Sequence, residues 1–357
     1  MIISRTPFRI SFFGGGTDYP IWYKKYGGSV LCTTIDKYCY ITCRALPPFF
    51  EHKFRVVYSN IELCQTFEDV QHPAVRETLR FLKINKGMEI HHDGDLPARS
   101  GLGSSSSFTV GLLHSLYAWT GKMVSKMKLA QESIHIEQNM IRETVGSQDQ
   151  VATAFGGLNK IVFHPSGDIE VHNLTLSKTR QDELCSHLML FYTGIKRTAS
   201  EVADSYVSSL LKHKKMLLQM KVLVEEGVSV LNSNACICRF GELLHQAWGL
   251  KQGLSNQVSN NKIDGLYERA RRTGAIGGKI IGAGGGGFLL LFVPPSVQKN
   301  VRNELKELIH VPIKIESEGS RIIFFDPNEE DYSQTLQDRE TREIKTFVEL
   351  HTIHSKK

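Results

Sequence analysis

In Ile2 to Phe13 the apolar residues Ile3, Phe8, Ile10 and Phe12 recur between polar ones. This is the rhythm of a half-buried strand, and Pro7 is expected to break it into two short strands. Two further β-rich runs follow, Val30 to Arg44 and Phe54 to Tyr58. From Pro73 to Asn85 the period changes: Val75, Leu79 and Leu82 lie in helical phase, before a strand at Met88 to His92. Phe108, Leu112, Leu113 and Leu116 then predict a helix starting near Ser104. A second helix, Ser125 to Glu143, carries Ala130, Ile134, Glu137 and Ile141 on one face. Ser147 is placed to cap a short helix that stops at Gly156-Gly157. A hairpin follows (Leu158 to His164 and Ile169 to Leu174), then a strand from Cys185 to Tyr192. Ala199 to about Asn260 is largely helical without a repeat. Gly274 to Val293 reads as strand, glycine loop, strand; Val297 to Ile309 as an amphipathic helix; Ile313 to Phe325 as a last strand pair. Beyond Asp326 the chain is polar and charged, a peripheral helix or tail.

Composition narrows the class. A chain of 357 residues can bury a large core or two domains. No apolar run approaches the roughly 18 residues of a membrane span, and Met1 to Pro7 does not read as a signal peptide. Seven cysteines, an odd number without a Cys-x-x-Cys pair, predict reduced thiols and a cytoplasmic protein. The formal charge of +6 is modest, and no basic run is interleaved with aromatics. Nucleic acid is therefore not an expected partner, whereas a small anionic substrate is. Monomer and homodimer both remain open.

The chemistry concentrates in a few stretches. In Asp95 to Ser107, Pro97, Gly101 and Gly103 forbid a regular element, and four serines then open a helix. Such a loop aims unpaired N–H groups and the positive end of the helix dipole at one point, an anion site suited to phosphate. A capped helix alone would need one serine, not four. In Gly14-Gly15-Gly16-Thr17-Asp18-Tyr19-Pro20 the glycines allow a ligand to approach, and Thr17 and Asp18 suit sugar hydroxyls. A plain turn with Asp18 as cap is the alternative. Arg9 could neutralise a developing negative charge. Glu137 sits on an apolar stripe, where a carboxylate is costly unless paired with a cation or bound to a metal. Asp149 falls in a first helical turn, where the dipole favours negative charge, as a base, a charge partner or simply a helix-start residue. Lys196 and Arg197 follow a glycine turn and could hold a phosphate or be solvated. Gly282-x-Gly284-x-x-Gly287 fits the dinucleotide pattern, but a strand-like run replaces the required helix, so that reading fails.

Three blocks, Pro7-Phe8-Arg9-Ile10 through Tyr19, Leu96 to Ser106 and Lys279 to Gly287, together resemble the motifs of the GHMP small-molecule kinases. The resemblance spans about residues 1 to 325. It implies an α+β fold in which an N-terminal ribosomal-protein-S5-like domain with a left-handed β-α-β unit (1–178) precedes a ferredoxin-like domain (179–325). The active site would lie in the cleft between them, with 326–357 as an appendage. It further implies that Pro97, Arg99, Ser100, Gly101, Leu102, Gly103, Ser104, Ser105 and Ser106 bind ATP, and that Ser105 and Glu137 ligand Mg²⁺. Asp149 would be the catalytic carboxylate, with Arg9 paired to it. Gly15, Gly16, Thr17, Asp18, Lys196, Arg197, Gly284 and Gly285 would serve the substrate. Galactokinases carry Gly-Glu-His-Thr-Asp-Tyr where this chain has Gly14-Gly15-Gly16-Thr17-Asp18-Tyr19, which argues against galactose. The motifs look most like the branch that phosphorylates D-glycero-D-manno-heptose 7-phosphate on its anomeric hydroxyl, for nucleotide-activated heptose and surface polysaccharide. Fucokinase-like enzymes, and a non-catalytic sugar sensor on the same scaffold, are the competing implications.

Overall fold

The computed structural model describes residues 1–98, 100–195 and 199–328, with 332, 334, 335 and 338 beyond them; the side chains of 199–201 are outside the description. Its first strand, β1 (Ile2–Phe13), runs unbroken through Pro7, contrary to the expected interruption. The partner strand β2 (Gly28–Ala45) absorbs the irregularity: Pro7 lies opposite Tyr38 and Phe8 opposite Ile35, so the register shifts where the chain lacks an N–H. Between them lies α1 (Pro20–Tyr26). The chain continues through β3 (Phe54–Val57), β4 (Ile61–Cys64), α2 (Pro73–Leu82), β5 (Met88–Gly94), α3 (Ser104–Trp119), α4 (Lys126–His135) and α5 (Gln148–Phe155). β6 (Leu158–Phe163), β7 (Ile169–Asn173), α6 (Lys178–His187) and β8 (Leu188–Tyr192) follow, so Cys185 to His187 end a helix rather than start a strand. Then come α7 (Ala199–Val207), α8 (Lys214–Asn232), α9 (Cys238–Gln252), α10 (Asn261–Arg272), β9 (Gly277–Ile280), β10 (Phe288–Phe292), α11 (Gln298–Glu304), β11 (Ile309–Val311), β12 (Ile315–Glu316) and β13 (Arg321–Phe325).

Among the described residues these strands make two sheets. The first has the order β13-β1-β2-β5-β3-β4, with β12 and β6 also on β2 and β7 on β6. Besides β1, β2 pairs with β6 along its first part, β12 in the middle and β5 along its last part. β3 and β5 run parallel, linked through β4 and α2. Helix α3 lies on β1 and β2, and Gly111 lets it come close: a Cβ there would stand 2.8 Å from Thr6 Oγ1. Ser4 Oγ donates to the Gly111 carbonyl (2.9 Å), so the two polar residues of β1 that face the helix are satisfied.

The second sheet has the order β11-β8-β10-β9, all antiparallel. By position among its own four strands this is 4-1-3-2, the ferredoxin-like arrangement. One boundary differs from the expected 325. β12 and β13 return to the first sheet, pairing with β2 and β1, so the chain closes the first domain with its last strands. The halves also share a core: Phe240 of α9 packs edge-on against Phe12 and Phe13 of β1, with ring centroids 5.2 and 5.0 Å apart. Among the described residues no helix is long and apolar enough to cross a membrane.

Candidate active site

The residue before α3 is Gly103, which is left-handed and offers no side-chain cap. The first-turn N–H groups of Ser104, Ser105 and Ser106 therefore have no helical acceptor. These serines, with Gly101 and Gly103, line a cavity of about 220 Å³. Gly101 has φ +88°, and a Cβ there would lie 2.5 Å from the Ile281 carbonyl oxygen. The loop thus presses against the third glycine block as only glycine permits.

Across the cavity stand the charged groups. Arg9 of β1 is buried and binds Asp149 through both ends of its fork: Nε donates to Oδ1 at 2.7 Å and Nη2 to Oδ2. Its Nη1 donates to the Gly101 carbonyl (2.6 Å), tying the phosphate loop to the same guanidinium. Asp18 is buried beside them. Gly16 N–H donates to its Oδ1 (2.9 Å) and Gln148 N–H to its Oδ2 (3.4 Å). Burial, and then the charge of Asp149, push its carboxyl up to about 6. Ser147 is the residue before α5, as expected, but makes no side-chain cap; its N–H instead donates to the Asp18 carbonyl (2.9 Å).

Glu137 is fully buried. The helix that carries it does not continue regularly to Glu143: after α4 the backbone widens into a π-helical turn, Ile136–Met140, and Arg142 follows with φ +65°. Such widened turns recur at functional sites because they re-aim side chains. Glu137 Oε2 accepts from Ser106 Oγ (3.0 Å) and Gln150 Nε2 (2.6 Å). Oε1 has no partner, since Thr109 Oγ1 donates to the Ser105 carbonyl (3.2 Å). Burial outweighs these neighbours and pushes the carboxyl up to about 7. Among the described residues no Lys or Arg is bridged to Glu137.

Gly15, Gly16, Asp18, Arg9, Asp149, Gly101, Gly103 and Ser104 to Ser106 therefore meet in one cavity. Other expected residues are placed differently. The hydroxyl turned to Glu137 is that of Ser106; Ser105 is exposed. Thr17, expected to touch substrate, is buried and engaged with the carbonyls of Gly14 (2.8 Å) and Ser29 (2.9 Å), stapling the turn. From the third block Gly282 and Ala283 reach the cavity. Gly284 and Gly285 pack against Val258 instead, whose carbonyl accepts from Gly285 N–H (2.8 Å). Pro97, Ser100 and Leu102 do not line the cavity; Leu102 is core, and its carbonyl accepts from Arg9 N–H (3.0 Å). Arg99, Lys196 and Arg197 lie outside the described residues.

The sequence reading missed Tyr206, Ala203, Leu254, Lys251 and, as a cavity residue, Lys279. One of these had a signal. Lys251 shares the apolar stripe of α9 with Leu244, Ala247 and Trp248, the same anomaly that exposed Glu137.

Residues 70–157 match the GHMP kinases N terminal domain and residues 235–310 the GHMP kinases C terminal domain. The chain is 27% identical over 320 residues to a D-glycero-alpha-D-manno-heptose 7-phosphate kinase of Campylobacter jejuni, covering 86% of this chain and 93% of that one. It is 24% identical over 358 residues to the L-fucokinase/L-fucose-1-P guanylyltransferase of Bacteroides fragilis, covering 86% of this chain but 36% of that one. A crystal structure of a D-glycero-D-manno-heptose 1-phosphate kinase from Bacteroides thetaiotaomicron superposes with a TM-score of 0.68 at 23% identity, over 91% of this chain and all of that one (100%). A Lactococcus lactis galactokinase complexed with galactose gives 0.70 at 19% identity, over 90% and 94%. These structural likenesses establish the fold.

Proposed function

We propose, from the premise that the chain belongs to the GHMP kinases and is an ATP-dependent sugar kinase, that it phosphorylates the anomeric hydroxyl of D-glycero-D-manno-heptose 7-phosphate to the 1,7-bisphosphate, in the cytoplasm. The observation that carries this reading is the convergence of three parts on one cavity: an uncapped helix start, the Arg9–Asp149 pair and the buried Asp18.

The N–H groups from Gly101 to Ser106 hold the phosphates of ATP. Glu137, with the hydroxyls of Ser105 and Ser106, fits a magnesium ion: its Oε1 is buried without a partner, and a cation supplies one. Such a cation is held by few protein ligands together with the phosphates. When bound, that ion neutralises charge on the transferring phosphoryl group. Asp18 accepts from the sugar hydroxyls. Asp149, fixed by the fork of Arg9, takes the proton of the C1 hydroxyl as its oxygen attacks the γ-phosphorus and ADP leaves.

The choice of heptose rests on the Campylobacter jejuni relative, matched over nearly its full length, and on the open Gly15 position. A Cβ there would meet nothing nearer than Gln148 Nε2 and Ser11 Oγ, both at 3.9 Å. ADP release is to be compared on heptose 7-phosphate, unphosphorylated heptose and L-fucose. The expected order places heptose 7-phosphate first. Equal rates with and without the 7-phosphate, or preference for fucose, would overturn the substrate assignment.

A further inference from the structure

Two lysines of the second domain enter the cavity and have no part in the chemistry above. Lys279 of β9 and Lys251 of α9 are 5% and 7% exposed. Lys279 Nζ donates to the Phe12 carbonyl (3.0 Å), while Lys251 Nζ donates to the carbonyls of Ile280 (3.3 Å) and Gly282. All three acceptors are neutral, and neither ammonium makes an ion pair among the described residues. A buried ammonium with only carbonyl partners is costly, and each has donors to spare. Burial and the neighbouring cations accordingly hold both below the ordinary lysine range, Lys279 at about 7. The same wall offers another unmet donor: Ser11 Oγ, 5% exposed, has no hydrogen-bond partner and adjoins the Phe12 that Lys279 touches.

We propose that Lys251, Lys279 and Ser11 form a second anion subsite, between the third glycine block and the Gly15–Asp18 turn, that takes a phosphate group. An anion there favours the ammonium form of both lysines, pairs with it and satisfies the serine. The subsite rests on the kinase reading for the source of that phosphate. It is either the phosphoryl group in transfer or the phosphate the acceptor already carries.

The first test needs no sugar. Lys251→Met and Lys279→Met keep the volume and remove the charge. Inorganic phosphate is titrated into enzyme saturated with ADP, and the melting temperature is read. Wild type is expected to melt higher with phosphate and either variant to lose that gain. No gain in wild type, or an equal gain in all three proteins, overturns the subsite. Ser11→Ala removes only an unpartnered hydroxyl, and a reduced gain there gives the same reading should a lysine variant fail to fold.

The second test uses turnover. If the anion is the acceptor's own phosphate, the variants raise KM for heptose 7-phosphate about ten- to a hundredfold and leave unphosphorylated heptose unchanged. If it is the group in transfer, kcat falls on both sugars. Unaltered kinetics on both overturns the proposal. A wild type inactive on either sugar overturns the substrate assignment alone, and the phosphate titration then decides the subsite.

Discussion

Asp149 and Asp18 share a cavity but have opposite surroundings. Asp149 faces the fork of Arg9, whereas Asp18 is buried against backbone N–H groups and the charge of Asp149. Asp149→Ala should therefore bind ATP almost as wild type while turnover drops about 10²- to 10⁴-fold; nucleotide titration and steady-state rates check this, and full activity would remove Asp149 from the mechanism. For Asp18 the prediction concerns stability. Its folded pKa of about 6 stands above the ordinary carboxyl value of 3.8, so its contribution to stability is fully present below about pH 4 and is lost as pH rises through about 6. Asp18→Asn should then resist urea better than wild type at pH 8, by up to about 3 kcal/mol, with the difference vanishing near pH 4. Denaturation curves across that range test it, and a pH-independent difference would contradict it. The same variant should lose sugar affinity, the usual exchange of stability for function at a buried charge.

The phosphate loop works as an element because it is wedged between β1 and the third glycine block. Gly101 touches both: its carbonyl accepts from Arg9, and its Cα side faces Ile281 and Gly282. Gly101→Ala would force either a strained positive φ or a retreat of one loop from the other. We expect a loss of about 1–3 kcal/mol in stability together with a raised KM for ATP, read from thermal melts and nucleotide titration. An unchanged KM would show that the contact between the loops does not shape the nucleotide site. The helix after this loop was readable from its apolar spacing and glycines. The π-helical turn at Ile136–Met140 was not, because the apolar stripe from Ala130 to Ile141 fits a regular helix and the extra residue reveals itself only in the backbone bonds, Ile141 N–H to Ile136 carbonyl (2.9 Å).

At the scale of the whole molecule, the two sheets are joined by the return of β12 and β13 to the first sheet and by Phe240 against Phe12, Phe13 and Phe292. Phe240→Ala should cost about 3–5 kcal/mol and keep a single cooperative transition in calorimetry; two separate transitions would mean that the halves unfold independently. Activity should fall further than stability alone explains, because α9 also carries Lys251. The sequence by itself determined the glycine loops and most helix and strand periods and singled out Asp18, Glu137 and Asp149 as candidates, since backbone freedom at glycine, a helix start and the cost of a carboxylate on an apolar stripe are local properties. Tertiary structure alone decided which neighbours these residues meet. It turned Ser106 rather than Ser105 to Glu137, drew Thr17 into its turn, set Gly284 and Gly285 on Val258 and brought Lys251 and Lys279 to the cavity. Thr17, Ser106 and Lys279 meet partners 12, 31 and 267 residues away along the chain, and a one-residue change of aim on a helix or turn leaves no trace in local spacing.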